Sequence, residues 1–396
     1  MSATVRYPLH ERLLLTAVLG DANSAPHAWR EWRKVMDLDE VDFGSQRLLP
    51  LLYRNLTALG VDDPELKRLK GVCRHTWSKN QMMMTAGTAV LAALHDQGIE
   101  TMVLKGAALV MGGYWKAEER PMNDFDVVVP PGQVRAALAV LDKAGFLPAA
   151  EGPQSQPRFA PTYLQLWHSH GFRDRVGHQL DLHWHVLNEC CYDGADDAFW
   201  QAAIPVTWRG LHTRVLGPAD QVLHLCVHGM YGRLSEGVSV LRWAPDVVAV
   251  LRRHPDRGIH GMDWPRLLDQ AERRRLVLPL RAALEFLNGL PGAGTIVPAE
   301  FLSELRATRP GPLEAREFRM RTRGPGMLGY LPSLWLHYRR NGDAAGTSAT
   351  FGGFLEFMRA LWGVDTRAMP GVAFGMGVRL LRRKLGISND SSRTAK

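Results

Sequence analysis

In the segment N-D-F-D-V-V-V, Asp124 and Asp126 stand two residues apart ahead of a run of valines. Side chains alternate faces along a strand, so the two carboxylates share one face while Phe125, Val127 and Val129 share the other. Held about 7 Å apart, they repel each other unless a cation sits between them. Mg²⁺ is the expected cation, with Mn²⁺ as the alternative, because it takes hard oxygen ligands and leaves room for waters and substrate phosphates. The later segment Q-L-D-L-H-W-H-V repeats the arrangement. Leu180, Leu182, Trp184 and Val186 form its apolar face, which leaves Asp181, His183 and His185 on the other. If this strand lies beside the first, Asp181 becomes a third carboxylate of one site and His183 faces the acceptor side. Taken alone, a D-x-D is more often the solvated end of an edge strand, so the decision rests on the elements upstream.

Those elements supply cations. V-L-K-G-A-A-L closes a short apolar run and opens a helix, which places Lys105 beside free backbone N–H groups near Gly106, where a phosphate can approach. Arg120, four residues before the first carboxylate, is suited to bidentate phosphate contacts. Lys105, Gly106 and Arg120 are therefore the expected phosphate-side residues. Helix-like apolar spacing fills the first hundred residues, and Q-V-R-A-A-L-A-V-L-D-K-A-G-F predicts an amphipathic helix capped by Gly145. H-S-H-G-F-R-D-R-V and H-Q-L-D-L-H-W-H-V predict two strands joined at Val176-Gly177. From about Pro218 the pattern is helical, interrupted at Pro310 to Pro312 and at Gly324 to Gly326, and the tail from Ser388 to Lys396 is polar. The resulting division is a helical region 1–98, a core 99–215, a helical domain 216–300 and an Arg-rich helical region 301–396. A Pro/Gln linker near 151–161 lies inside the core.

The order strand, Gly turn, helix, D-x-D strand, helix and a further Asp-bearing strand resembles the nucleotidyltransferase domain of the DNA polymerase beta type. The stretch L-K-G to G-F, from Leu104 to Phe146, resembles a bacterial family of uncharacterised nucleotidyltransferases with a K-G, R, D-x-D signature. D-L-H-W at Asp181, A-D-Q-V-L-H-L-C-V-H-G at Ala219, L-R-W-A-P-D at Leu241 and D-W-P-R-L at Asp263 extend the resemblance over about residues 10 to 300. It implies an α+β fold, a short mixed sheet with helices inside N- and C-terminal helical flanks. It also implies metal-dependent transfer of a nucleoside monophosphate from an NTP, ATP first among them, to a hydroxyl or phosphate of a small molecule, peptide or protein. Asp124 and Asp126 would ligate both metals, and Asp181 would ligate the catalytic metal and act as base. The resemblance also makes Lys105, Gly106 and Arg120 nucleotide-binding. One departure is that Gly106 is followed by Ala107, where the superfamily usually has Gly or Ser, so Lys105 stands in as the phosphate contact.

Composition bounds the alternatives. With 46% hydrophobic and 22% charged residues over 396, the chain can bury a full core. The longest charge-free stretch, Asn80 to His95, carries Asn, Gln, Thr and Gly and falls short of the ~20 apolar residues of a spanning helix. The N-terminal apolar run is flanked by Glu11 and Asp21, which argues against a signal peptide, and Cys73, Cys190, Cys191 and Cys226 lack metal or disulfide spacing. A reduced cytoplasmic chain is the expectation. Residues 1–200 hold 20 Lys+Arg against 24 Asp+Glu and residues 201–396 hold 28 against 16, so anion recognition is expected to lean on the second half. Basic stretches at Arg316 to Arg323 and Val378 to Leu385 suit an anionic acceptor, an RNA backbone or peripheral contact with an acidic membrane, or are simply solvated faces. His224 and His228 have helical metal-ligand spacing without a third ligand, and Asp246 suits a base contact or a helix cap. The competing function class is an antitoxin-like or RNA-binding regulator that uses the same core for recognition or for nucleotidylating a partner; nucleic acid is the less favoured partner.

Overall fold

The computed structural model describes residues 7–149, 161–236, 241–252, 262–293, 296–322, 330–344, 346, 348–362, 364, 367 and 369–371. Five helices lead in: α1 (Leu9–Leu19), α2 (Ser24–Val35), α3 (Phe43–Gln46), α4 (Leu49–Ala58) and α5 (Leu66–His95). The charge-free run from Asn80 is the second half of α5. Next come β1 (Met102–Val103), α6 (Lys105–Met111), β2 (Asp124–Val128), α7 (Val134–Lys143), β3 (Leu147–Pro148), α8 (Pro161–Leu166), β4 (Ser169–Arg173) and β5 (Gln179–His183). Pro130 and Pro131, which cannot donate to a ladder, follow the end of β2. Gly145 leaves α7 at φ +82°, the left-handed exit that favours glycine. After α9 (Asp197–Ala202), a hairpin of β6 (Ile204–Trp208) and β7 (Leu211–Val215) closes the sheet.

The seven strands run in the order β3-β4-β5-β2-β1-β7-β6. β2 with β5 and β1 with β7 are parallel pairs; the remaining pairs are antiparallel. This is the α+β architecture expected, a mixed sheet inside helices. The β6–β7 hairpin was not expected from the sequence. Its turn residues Arg209 (φ +49°) and Gly210 (φ +82°) are both left-handed, as a two-residue turn between right-twisted strands requires. A second difference concerns the end of β5: strand alternation stops at His183, so Val186 joins the opposite core from Trp184 and His185 turns to Asp196 instead of staying beside Asp181.

Each face of the sheet is covered by its own helical layer. Phe125, Val127, Leu180 and Leu182 pack with Met84 and Leu91 of α5, Leu141 of α7, and Phe357 and Leu361 of a C-terminal helix, Phe351–Trp362. Gly87 lets α5 approach, since a Cβ there would lie 2.3 Å from the Phe125 ring. Met102, Leu104 and Val128 belong to the other core, with Leu14 and Leu52 of the lead-in helices and side chains of α10 (Pro218–Glu236), α11 (Trp243–Arg252), α12 (Trp264–Arg273) and α13 (Val277–Asn288). The site carboxylates lie between these layers.

Beyond α14 (Ala299–Ala307), the helices α15 (Pro312–Thr322) and α16 (Tyr330–Ala344) change the reading of the Arg-rich region. Arg321, from the first basic stretch, pairs with Glu189 at 3.0 Å and Glu317 at 2.9 Å, and lies over the Tyr231 ring at 4.1 Å. Arg340, 2% exposed, pairs with Glu317 and donates to the backbone carbonyls of Arg274 and Arg275. These two cations fasten α15 and α16 to the body and are not a free anion-binding face. The second basic stretch, the linker at 151–160, the Gly324 to Gly326 break and the polar tail lie outside the described residues. All four cysteines are buried and free, and no described helix is long and apolar enough to cross a membrane. Removing one partner of a buried ion pair strands the other, at a cost of about 3–5 kcal/mol. Glu317→Ala is expected to lower the urea-unfolding free energy by about 3 kcal/mol; a loss below about 0.5 kcal/mol, the size of an ordinary surface change, would show that the network does not hold α16.

Candidate active site

Parallel pairing of β2 with β5 sets Asp126 directly opposite Asp181, Asp124 opposite Gln179, and Val128 opposite His183. One acceptor or ligand atom from each of Asp126, Asp181 and His183 falls within 4.8 Å of the others. Asp124, on the same face of β2, stands outside that group at the half-buried start of the strand. Gly171 of β4, opposite Asp181, has no side chain to crowd it: a Cβ there would lie 3.2 Å from an Asp181 carboxylate oxygen. The two strands are neighbours, and the register sets Asp126 and Asp181 side by side.

Asp126 is 1% exposed, and burying it as an anion requires countercharge. Its Oδ1 receives the Lys105 ammonium at 2.6 Å and lies 3.1 Å from His183 Nε2, while its backbone carbonyl accepts from Leu104 N. Lys105 makes the turn from β1 into α6 at φ +47°, a left-handed conformation that costs a non-glycine residue about 1–3 kcal/mol. That turn delivers its ammonium to the carboxylates. Burial alone would lower the Lys105 pKa, but the charges of Asp126, Asp124 and Asp181 outweigh it and hold the ammonium above its ordinary range. His183 goes the other way: burial first, then the Lys105 charge, keep it well below the usual imidazole range, so the ring is neutral with a lone pair available. Two opposed carboxylates and a neutral imidazole form a donor set that fits a divalent cation.

Arg120 is placed differently from the expectation of a free phosphate fork. It is 2% exposed, and its Nε and Nη2 donate to Asp246 across the fold, with Nη2 to Oδ2 at 2.8 Å. Trp115 Nε1 donates to the same carboxylate at 2.8 Å. Asp246 is therefore a buried anchor that ties the loop before β2 to α11, rather than a base contact. Only Arg120 Nη1 is left without a partner, and Gly106 makes room for it: a Cβ on Gly106 would lie 2.1 Å from that nitrogen.

Two cations that the sequence reading passed over flank this pair. Arg242 donates through Nη1 to the carbonyl of Pro121 and its Nε lies 3.9 Å from Asp246 Oδ2. Arg47, in the turn between α3 and α4, is half-buried with its Nε unpartnered. Their only signal in the sequence is the R of L-R-W-A-P-D for Arg242 and none for Arg47, because both arrive through helix packing. A histidine group also faces the site. His168 stacks edge-on to His183 at 5.4 Å, and His224 lies parallel to His228 at 6.1 Å on α10.

The buried histidines give the fold a pH dependence. Burial, helped by Lys105 and His183, pushes His224 down to about 3, and burial pushes His170 down to about 4. An unfolded chain protonates both near 6.5, so the folded state binds fewer protons below that pH. Their contribution is complete above about 6.5 and is lost as pH falls toward 4 and then 3. The thermal midpoint is expected to decline across that window and to decline less steeply in His224→Leu; a flat wild-type profile between those pH values would contradict the assignment.

Comparison with known proteins agrees with this geometry. No curated protein and no solved structure matches the chain. A family model described as an uncharacterised nucleotidyltransferase matches residues 27–290, which include the whole sheet, the lead-in from α2, and the helices that carry His224, Arg242 and Asp246. By that match over most of its length, the chain belongs to this nucleotidyltransferase family and is a transferase of the nucleotidyl-transferring class.

Proposed function

We propose that the protein moves a nucleoside monophosphate from an NTP, ATP first among them, to a hydroxyl or phosphate oxygen of an acceptor and releases pyrophosphate. The observation that carries this reading is the opposition of Asp126 and Asp181 across β2 and β5, with Asp124 on the same face and the Lys105 ammonium among them. These carboxylates, joined by His183, would hold Mg²⁺ or Mn²⁺. When bound, such an ion lowers the pKa of the attacking hydroxyl and neutralises charge on the phosphates. Asp181 would accept the acceptor's proton as its oxygen bonds to the α-phosphorus, while the bond from that phosphorus to the pyrophosphate oxygen breaks. Lys105 would pass from Asp126 to the phosphates as they enter, since its ammonium is fully charged and 18% exposed at the side chain. His183 would line the acceptor side of the carboxylates.

Incubation with each α-labelled NTP, Mg²⁺ or Mn²⁺ and a cell extract tests this. Label is expected on a discrete acceptor, and Asp124→Ala or Asp126→Ala should reduce it at least ~10²-fold, the scale seen when a preorganised charge-stabilising group is removed, with unchanged circular dichroism. Wild-type transfer in either variant would sink the assignment. No transfer at all, together with steeply salt-dependent RNA retention, would favour the regulatory reading instead.

A further inference from the structure

Three guanidinium groups from distant parts of the chain share one electrostatic neighbourhood with Asp124 and Asp246. Arg47 comes from the N-terminal helices, Arg120 from the loop before β2, and Arg242 from the segment that opens α11. Asp246 is the one carboxylate that pairs with them within 4 Å among the described residues, and Arg120 takes both its oxygens. Arg242, 12% exposed at the side chain, is held by the Pro121 carbonyl three residues ahead of Asp124. Arg47 Nε and Arg120 Nη1 are buried N–H groups without a hydrogen-bond partner. Buried unpartnered donors on cations are costly, and a site that retains them is shaped for an anion.

The electrostatics point the same way. Burial, with the charge of Arg120 behind it, brings Arg47 down to about 10, and burial with Arg120 and Arg47 depresses Arg242 well below the ordinary guanidinium range. Both are drawn back up by the charges of Asp124 and Asp246. The four cations Lys105, Arg47, Arg120 and Arg242 face the four carboxylates Asp124, Asp126, Asp181 and Asp246. These charges balance, so a divalent ion held by the carboxylates would add positive charge that an anionic ligand would offset. A triphosphate is the anion of matching size and charge, and guanidinium groups grip its oxygens bidentately.

Resting on the nucleotidyl-transfer reading, we propose that Arg47 and Arg242 are the triphosphate contacts of this site, with Asp246 and Arg120 positioning Arg242 beside Asp124. The N-terminal helices thereby become part of the active site through Arg47, whose turn is fixed by the Asp42 side chain accepting from Gly44 N and Ser45 N.

The test is binding of inorganic tripolyphosphate with Mg²⁺ by calorimetry, with KM and kcat for NTP measured in parallel. Arg47→Ala and Arg242→Ala are each expected to weaken tripolyphosphate binding about 10-fold or more and to raise KM with kcat little changed. Arg47→Lys and Arg242→Lys should fall between, because a lysine keeps the charge and loses the fork. Arg273→Ala, on the exposed face of α12, should match wild type. Wild-type affinity and KM in both alanine variants would overturn the proposal while leaving the transfer reading intact. Arg47 lies in a short turn and is less buried than Arg242, so its variant decides the question if Arg242→Ala does not fold. Tripolyphosphate binding that depends on both arginines, without any label transfer, would keep the phosphate site and remove the proposed reaction.

Discussion

The register of two parallel strands governs this structure. Pairing β2 with β5 puts buried Asp126 and half-buried Asp181 side by side, where two like charges are tolerated only with cations close at hand. A shift of one residue in that pairing would turn Asp181 into the apolar core and Leu180 or Leu182 toward the site. The surrounding architecture answers this constraint: Lys105 adopts an unfavourable backbone conformation to deliver its ammonium, and His183 stays neutral against Asp126.

The helical layers are the second part of that answer. The sheet's far face is closed by a largely apolar packing against α5, which fixes the strands from behind. On the near face, Asp246 holds both Arg120 from the loop before β2 and Arg242 from the segment that opens α11. A polar interior of this kind is stable only when nearly every member has a partner. The unpartnered nitrogens of Arg47 and Arg120 are therefore informative, for they mark where the fold accepts a cost in order to receive something.

The carboxylates were legible in the sequence because strand periodicity is local: one residue, Phe125, separates Asp124 from Asp126, and it and the valines that follow fix the face. The partner strand was legible for the same reason, but its position beside β2 was only implied by the family resemblance and is set by the parallel pairing. Arg47 was not legible, since its place depends on how α3 and α4 pack against a sheet more than fifty residues downstream. The pairing of Arg120 with Asp246 was not legible, because the two lie 126 residues apart. Likewise the charge of Arg321 and Arg340 was visible, but whether an arginine is solvated or buried depends on Glu189 and Glu317, which sequence spacing does not connect to them. The β6–β7 hairpin left a faint signal, the Arg-Gly turn between two short runs.

The central claim is that Asp126 and Asp181 form one divalent-cation site. Titration of Mn²⁺ followed by its electron paramagnetic resonance signal, with a non-hydrolysable NTP present, addresses it directly. The account predicts saturable binding in the wild type that is lost in Asp126→Asn and in Asp181→Asn while both variants remain folded. Mn²⁺ binding of wild-type affinity in either variant would contradict it.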